Sequence, residues 1–175
     1  MIRREITRCG IVALIGAPNS GKSTLINRVV GSKVSIVTHK VQTTRTRVVG
    51  VLTEDNNQIV FVDTPGIFTP NRRLEKAMVS AAWVEAADAD QVILIIDSER
   101  GIGEETQLII KGIKDSKKKV YAALNKIDLI PRPQLLELAE NLNWSKCFED
   151  IFMISALKGD GVNALLLTLG ECLPD

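Results

Sequence analysis

The stretch Gly16-Ala17-Pro18-Asn19-Ser20-Gly21-Lys22-Ser23 matches the pattern GxxxxGK[ST], and it lies between an apolar run and a segment of helical period. Its glycines let the backbone turn N–H groups inward around phosphates, and a helix that starts here adds positive potential. Lys22 can reach the β- and γ-phosphate oxygens, and the Ser23 hydroxyl can bind Mg²⁺. The stretch, with Thr24 behind it, therefore predicts a binding loop for a nucleoside triphosphate without specifying the base.

On both sides of this loop, apolar runs of strand length alternate with helix-period segments. The pattern predicts strands over residues 11–15, 48–53, 58–62, 91–97, 120–124 and 151–154, and helices over 23–30, 74–87, 104–116, 134–141 and 162–173. Gly31 is a natural end for the first helix, and residues 54–57 have the composition of a hairpin turn. The alternation predicts an α/β fold in a single domain over residues 1–175. Its mostly parallel six-stranded sheet has one antiparallel edge strand and helices on both faces.

The composition is that of a chain with a substantial core. Hydrophobic residues make up 45% and charged residues 25% of the 175 residues, and the formal net charge is only +1. That balance indicates neither an acidic nor a basic partner. Cys9, Cys147 and Cys172 form no CxxC pair, which is typical of reduced thiols in a cytoplasmic protein. No apolar run approaches the ~20 residues of a membrane span.

A second phosphate motif, Asp63-Thr64-Pro65-Gly66, follows the strand predicted over residues 58–62. An aspartate at the carboxyl end of a strand can hold Mg²⁺ directly or through water. Gly66 has no side chain to block its N–H group, so that this group can bond a γ-phosphate and register its loss. Together with the upstream loop, the motif predicts a magnesium site and a phosphate sensor.

The base is indicated by Asn125-Lys126-Ile127-Asp128, which follows the strand predicted over residues 120–124. The Asp128 carboxylate can accept two hydrogen bonds from guanine N1–H and the 2-amino group, whereas adenine would leave it unpaired. The Lys126 stem is expected to lie along the base plane, and Asn125 to tie loops together. Ser155-Ala156-Leu157 follows the last strand and places the Ala156 N–H near guanine O6. These residues predict guanine rather than adenine.

The polar, basic segment Val34–Arg47 between the two phosphate motifs is a candidate switch. Either Thr43 or Thr44 can close over Mg²⁺ and the γ-phosphate, and such a segment can order with the triphosphate and loosen after hydrolysis. We favour Thr44, although the sequence does not separate the two. His39 is the only histidine, and a general-base role for it competes with simple exposure.

Taken in order, GAPNSGKS, QTTRTR, DTPG, NKID and SAL resemble the Era/TrmE-like P-loop GTPases, and the Era family most closely, over essentially the whole chain. The resemblance implies a Ras-like G domain that hydrolyses GTP slowly to GDP and phosphate. It also implies a cytoplasmic monomer that, in the full-length family member, binds small-subunit ribosomal RNA in ribosome assembly, with contact at the membrane periphery. The family's C-terminal KH domain, with its GxxG loop, is not found in these residues, so we expect an isolated G domain.

Two positions shape the expected catalysis. Ile67 follows DTPG where Ras-type enzymes carry a water-orienting glutamine, and an aliphatic side chain cannot orient water. Relatives use an asparagine at the position of Asn19 to bind K⁺ beside the phosphates, which predicts stimulation by K⁺. The resemblance thus assigns catalysis to Lys22, Asn19, Thr44 and Gly66, and the Mg²⁺ ligands to Ser23, Thr44 and Asp63. The alternative is a GTP/GDP-binding module with negligible hydrolysis unless a partner or K⁺ is present.

Overall fold

The apolar runs of the sequence form strands, and the helix-period segments between them form helices. The computed structural model describes residues 8–32, 47–54, 56–63, 86–116 and 118–175. The strands are β1 (Arg8–Ile15), β2 (Arg47–Glu54), β3 (Asn57–Asp63), β4 (Gln91–Asp97), β5 (Val120–Asn125) and β6 (Ile151–Met153). The helices are α1 (Lys22–Ser32), α2 (Glu104–Asp115), α3 (Arg132–Trp144) and α4 (Val162–Glu171), with a 3₁₀ turn at Ile127–Leu129. The helix predicted over residues 74–87 lies almost entirely outside the described residues.

The six strands form one sheet in the order β2-β3-β1-β4-β5-β6. β1 is parallel to both of its neighbours, β3 and β4, and the β4–β5 and β5–β6 pairs are also parallel. Among the strands of the described ranges, only β2, at the edge, runs antiparallel to its neighbour β3. The predicted mixed sheet with one antiparallel edge strand is therefore confirmed.

The topology brings the predicted motifs to one edge of the sheet. Parallel strands end on the same side, and ligands of such sheets bind outside these carboxyl ends, where the strand order reverses. The reversal lies at β1, since β3 flanks it on one side and β4 on the other. In the register, Leu14 of β1 pairs with Asp63 of β3, and Asp97 of β4 pairs with Asn125 of β5. The phosphate loop after β1 thus begins at the centre of this edge.

Each face of the sheet has its own hydrophobic core, because successive side chains of a strand point to opposite faces. On one face, α1 and α4 pack through residues such as Leu25 and Leu165. On the other face, α2 and α3 pack through residues such as Ile109 and Leu142. All of β4 is buried, as expected of a strand covered on both sides. This confirms helices on both faces of the sheet.

Several helix boundaries differ from the sequence prediction, among them the end of α3, which lies at Trp144 rather than at Asn141. α1 continues through Gly31 to Ser32, where we expected Gly31 to end it. A glycine inside a helix costs only about 0.5–1 kcal/mol relative to alanine, so Gly31 alone does not end the helix. α3 begins at Arg132 rather than Gln134, because Pro133 is tolerated in the first turn of a helix, where an N–H group has no partner within the helix.

None of the helices within the described ranges is long and apolar enough to cross a membrane.

Candidate functional site

The phosphate loop follows β1 and needs its two glycines for close packing. A Cβ at Gly16 would lie 2.5 Å from the carbonyl oxygen of Ile95 on β4. Gly21 has φ = +104°, and a Cβ there would overlap the side-chain amide of Asn125. Any side chain at either position would push the loop away from the strands that hold it. The glycines are therefore required by backbone geometry and by contact with the neighbouring loop.

Lys22 is the first residue of α1, and its side chain folds back over the loop. Its Nζ donates to the carbonyl oxygens of Gly16 at 2.9 Å and Ala17 at 3.1 Å, and the residue is only 8% exposed. Ser23 and Thr24 are exposed at the start of the same helix, and Asn19 is exposed with φ = +62°. The structure thus gathers a positive charge, a hydroxyl and the start of a helix around one loop.

Asn125 joins the phosphate loop to the loop after β6. Its Nδ2 donates to the backbone carbonyl of Ser20, and its Oδ1 accepts the backbone N–H of Ala156, both at 2.9 Å. The residue is 2% exposed. Because both bonds are buried, loss of either would leave a polar group without a partner, at a cost of about 1–3 kcal/mol. Asn125 therefore fixes the position of one loop relative to the other.

The bond from the Ala156 N–H to Asn125 Oδ1 affects the role predicted for Ala156. We expected its N–H group to read guanine O6, and in this structure that group already donates to Asn125. A base at this position would have to share the donor with the asparagine. The role of Ala156 toward O6 stays a prediction. Leu157, the last residue of the SAL motif, is 69% exposed beside it.

Asp128 lies in the 3₁₀ turn after β5, where its carboxylate is held on both oxygens. Ser155 Oγ donates to Oδ1 at 2.9 Å, and Lys158 Nζ lies 3.6 Å from Oδ2. The Ser155 hydroxyl is the main cause that lowers the pKa of Asp128 below its ordinary value of 3.8, with a smaller contribution from Lys158. The carboxylate is thus ionised and oriented, as acceptance of two hydrogen bonds from a base requires.

Replacing Ser155 by alanine is expected to raise the pKa of Asp128 toward its ordinary value. A carboxyl whose pKa is lowered by folding stabilises the protein above its unfolded pKa, and this contribution is lost as pH falls through the lowered value. In Ser155→Ala, the Asp128 carboxylate becomes protonated at a higher pH. The loss of guanine-nucleotide affinity at acidic pH should therefore move to higher pH. Carboxyl ¹³C NMR titration measures the pKa of Asp128, and GDP binding as a function of pH measures the loss of affinity. Identical titrations of Asp128 in the two proteins would contradict the role of the Ser155 hydroxyl.

Lys126 makes a contact that the sequence analysis did not foresee. Its Nζ donates to Asp97 Oδ2 at 2.5 Å, and its backbone is left-handed, with φ = +65°. Asp97 is only 7% exposed, and its other oxygen, Oδ1, accepts the N–H groups of Glu99 at 3.0 Å and Arg100 at 3.4 Å. The sequence contained a signal for the contact between Lys126 and Asp97, because Asp97 ends a buried strand at the same edge of the sheet as Asn125.

The remaining predicted residues are placed only in part. Asp63 ends β3 in register with Leu14, at the edge that carries the phosphate loop. Several predicted functional residues lie outside the described residues: His39, Thr43, Thr44, Thr64, Pro65, Gly66 and Ile67. The structure therefore brings together the phosphate loop, Asn125, Asp128 and the loop after β6, whereas the predicted switch and sensor residues stay predictions.

Comparison with known proteins decides the family. A family profile described as "50S ribosome-binding GTPase" matches residues 11–126, which include the phosphate loop and reach Lys126. The chain belongs to this GTPase family. The match spans the sheet from β1 to β5, so the described geometry is that of the GTPase fold.

Among similar relatives of this chain is the GTPase Era of Sinorhizobium medicae, 56% identical over 169 residues that cover 97% of this chain and 54% of the relative. The GTPase Era of Afipia carboxidovorans is 53% identical, with coverage of 97% of this chain and 55% of the relative. The chain thus spans about half the length of the curated relatives it matches.

Solved structures agree with this assignment. An Era in complex with MgGDPNP and nucleotides 1506–1542 of 16S ribosomal RNA superposes with a TM-score of 0.79 at 39% identity, covering 97% of this chain and 58% of that one. An Aquifex aeolicus Era variant bound to GDP·AlF₄⁻ superposes with a TM-score of 0.78 at 38% identity and the same coverage. The predicted Ras-like fold of the GTPase is confirmed.

Proposed function

We propose that this chain binds GTP and GDP with Mg²⁺ and hydrolyses GTP slowly to GDP and phosphate, as a molecular switch. One observation carries the proposal: Asn125 bonds both the phosphate loop and the loop beside Asp128, so a phosphate site and a base site form one unit. The base site offers a fixed carboxylate, which selects guanine. The phosphate site offers Lys22 against developing negative charge.

Magnesium fits the donors at this edge. Ser23 lies at the start of α1, and Asp63 ends β3 beside β1, so a hydroxyl and a carboxylate follow neighbouring strands. Mg²⁺ prefers such oxygen ligands and is usually shared with the phosphates of a nucleotide. We propose Ser23, Asp63 and Thr44 as its ligands; the ion would neutralise charge on the β- and γ-phosphates.

Hydrolysis is tested directly by single-turnover release of phosphate from GTP at saturating Mg²⁺. We expect a rate on the order of 10⁻³ to 10⁻² s⁻¹, by analogy with unassisted G proteins. Binding of GTP without any release of phosphate would instead support the alternative of a binding module. ADP and ATP should not displace bound GDP, and effective displacement by ATP would contradict the base assignment.

Potassium is expected to increase the rate of hydrolysis relative to sodium. Asn19 is exposed at the phosphate loop, and its backbone lies in the left-handed region. A K⁺ ion held there would add positive charge that no arginine finger supplies. The measurement is turnover at equal ionic strength in KCl and NaCl, with Asn19→Ala as the control. Equal turnover in the two salts would remove this role.

The macromolecular partner and the cellular location of the full-length protein are also proposals. Era relatives have about twice the length of this chain, and one was solved with 16S ribosomal RNA. We propose that the full-length protein serves small-subunit ribosome assembly in the cytoplasm as a monomer, with an RNA-binding KH domain outside these residues and peripheral contact with the membrane. RNA with nucleotides 1506–1542 of 16S ribosomal RNA should bind the full-length protein in a GTP-dependent manner and this chain only weakly.

A further inference from the structure

Arg28 connects the helix behind the phosphate loop to the loop after β6. Its Nε donates to the carbonyl oxygen of Ala156 at 3.1 Å, and its Nη2 donates to the carbonyl oxygen of Leu157. Its guanidinium atoms also lie 3.5–3.8 Å from the position of a Cβ at Gly159, where the backbone turns with φ = +93°. One exposed side chain of α1 thus contacts the loop along most of its length.

These bonds determine which side of the loop presents its N–H groups. A trans peptide unit is planar, with its C=O and N–H groups directed oppositely. With the carbonyls of Ala156 and Leu157 directed at Arg28, the N–H groups of Leu157 and Lys158 are directed away from it. The Lys158 N–H accordingly meets Ser155 Oγ at 3.2 Å, the same hydroxyl that bonds Asp128. The N–H side of the loop therefore faces the predicted base site.

We propose that Arg28 is a positioning residue for guanine recognition, which holds two carbonyls so that the N–H group of Leu157 meets O6 of the base. This inference deepens the proposed function and rests on it. Arginine suits the task because its planar fork can donate two parallel bonds, whereas a lysine ammonium is a point charge without that geometry. Since α1 begins at Lys22, the same contact couples the phosphate-binding helix to the reading of the base.

The test measures base discrimination, which a merely structural role would not change. GDP and 6-thio-GDP differ only at position 6, where sulfur is the weaker acceptor, and both retain N1–H and the 2-amino group for Asp128. Dissociation constants for both are measured with the unmodified chain, Arg28→Ala, Arg28→Lys and Asn27→Ala. Asn27 is an exposed neighbour on the same helix and serves as the matched control.

We expect Arg28→Ala to weaken the binding of GDP by about 10-fold, which corresponds to one charge-assisted hydrogen bond. The binding of 6-thio-GDP should weaken by much less. In Arg28→Ala, the ratio of the dissociation constants of 6-thio-GDP and GDP should fall toward unity. Arg28→Lys should give a ratio between those of Arg28→Ala and the unmodified chain, and Asn27→Ala should give the ratio of the unmodified chain. Equal weakening of both nucleotides, or no preference in the unmodified chain, would overturn the inference. A general loss of stability cannot mimic the expected result, because the readout is a ratio.

Failure of the proposed function has a different signature. An unmodified chain that binds GDP no better than ADP would overturn guanine binding itself, and this inference with it. An unmodified chain that prefers GDP over ADP, and whose preference over 6-thio-GDP survives in Arg28→Ala, would overturn only the role of Arg28.

Discussion

Replacing Asp128 by asparagine is expected to lower GDP affinity by about 10⁴-fold and to make xanthosine diphosphate the preferred nucleotide. Guanine offers two donors to the carboxylate, whereas xanthine carries an oxygen in place of the 2-amino group. An amide can accept from N1–H and donate to that oxygen. The bond from Ser155 Oγ to Oδ1 can persist in the variant, because the amide retains an oxygen at that position.

Equilibrium binding of GDP and xanthosine diphosphate to both proteins measures the exchange of preference. Asp160→Asn is the matched control, because Asp160 is an exposed aspartate near the same loop and bonds Ser155 only through its backbone carbonyl. That control should retain the preference for GDP. An Asp128→Asn protein that still prefers GDP would show that the base binds elsewhere.

Replacing Lys22 by methionine is expected to reduce GTP hydrolysis by about 10²- to 10³-fold, the usual effect of removing one donor that stabilises developing charge. The ammonium is held against the loop by the carbonyls of Gly16 and Ala17, so its position is set before any nucleotide arrives. Methionine keeps the length and apolar stem of the lysine while removing the charge, which separates electrostatics from packing.

The measurement is single-turnover hydrolysis with both proteins saturated by GTP and Mg²⁺. Lys111→Met provides the control, since Lys111 is an exposed lysine of α2 away from the phosphate loop. Its rate should equal that of the unmodified chain. A rate for Lys22→Met within a few-fold of that value would mean that the lysine does not act on the phosphates.

Much of the fold follows from local patterns in the chain. β4 was predicted with its observed ends, because a strand buried on both faces reads as an unbroken apolar run. The β2–β3 hairpin was predicted from its turn composition, which is also a local property. Helix ends were less accurate, since the end of a helix depends on what its last turn packs against. Gly31 illustrates this, because the helix continues past it to Ser32.

The candidate site was predictable in its motifs but not in its internal bonds. Strand ends of a parallel sheet must meet at one edge, so Asn125 and the phosphate loop could be placed together. Arg28 bonds a carbonyl 128 positions away, and Lys126 bonds Asp97 29 positions earlier. Such pairs arise where the fold brings together segments that are distant in the chain, and periodicity within a segment does not identify the bonding partners. The donor of Ala156 was likewise assigned to a ligand and is held by Asn125.

The bridge made by Asn125 also sets a length. Because one buried side chain bonds the Ser20 carbonyl and the Ala156 amide, the span between the phosphate loop and the base loop is fixed within the protein. A nucleotide whose sugar joins guanine to its phosphates at that span gains effective concentration at the second site once the first is filled. Guanosine and pyrophosphate offered as separate molecules forgo this gain. We therefore expect the domain to recognise the intact nucleotide by the distance between its base and its phosphates.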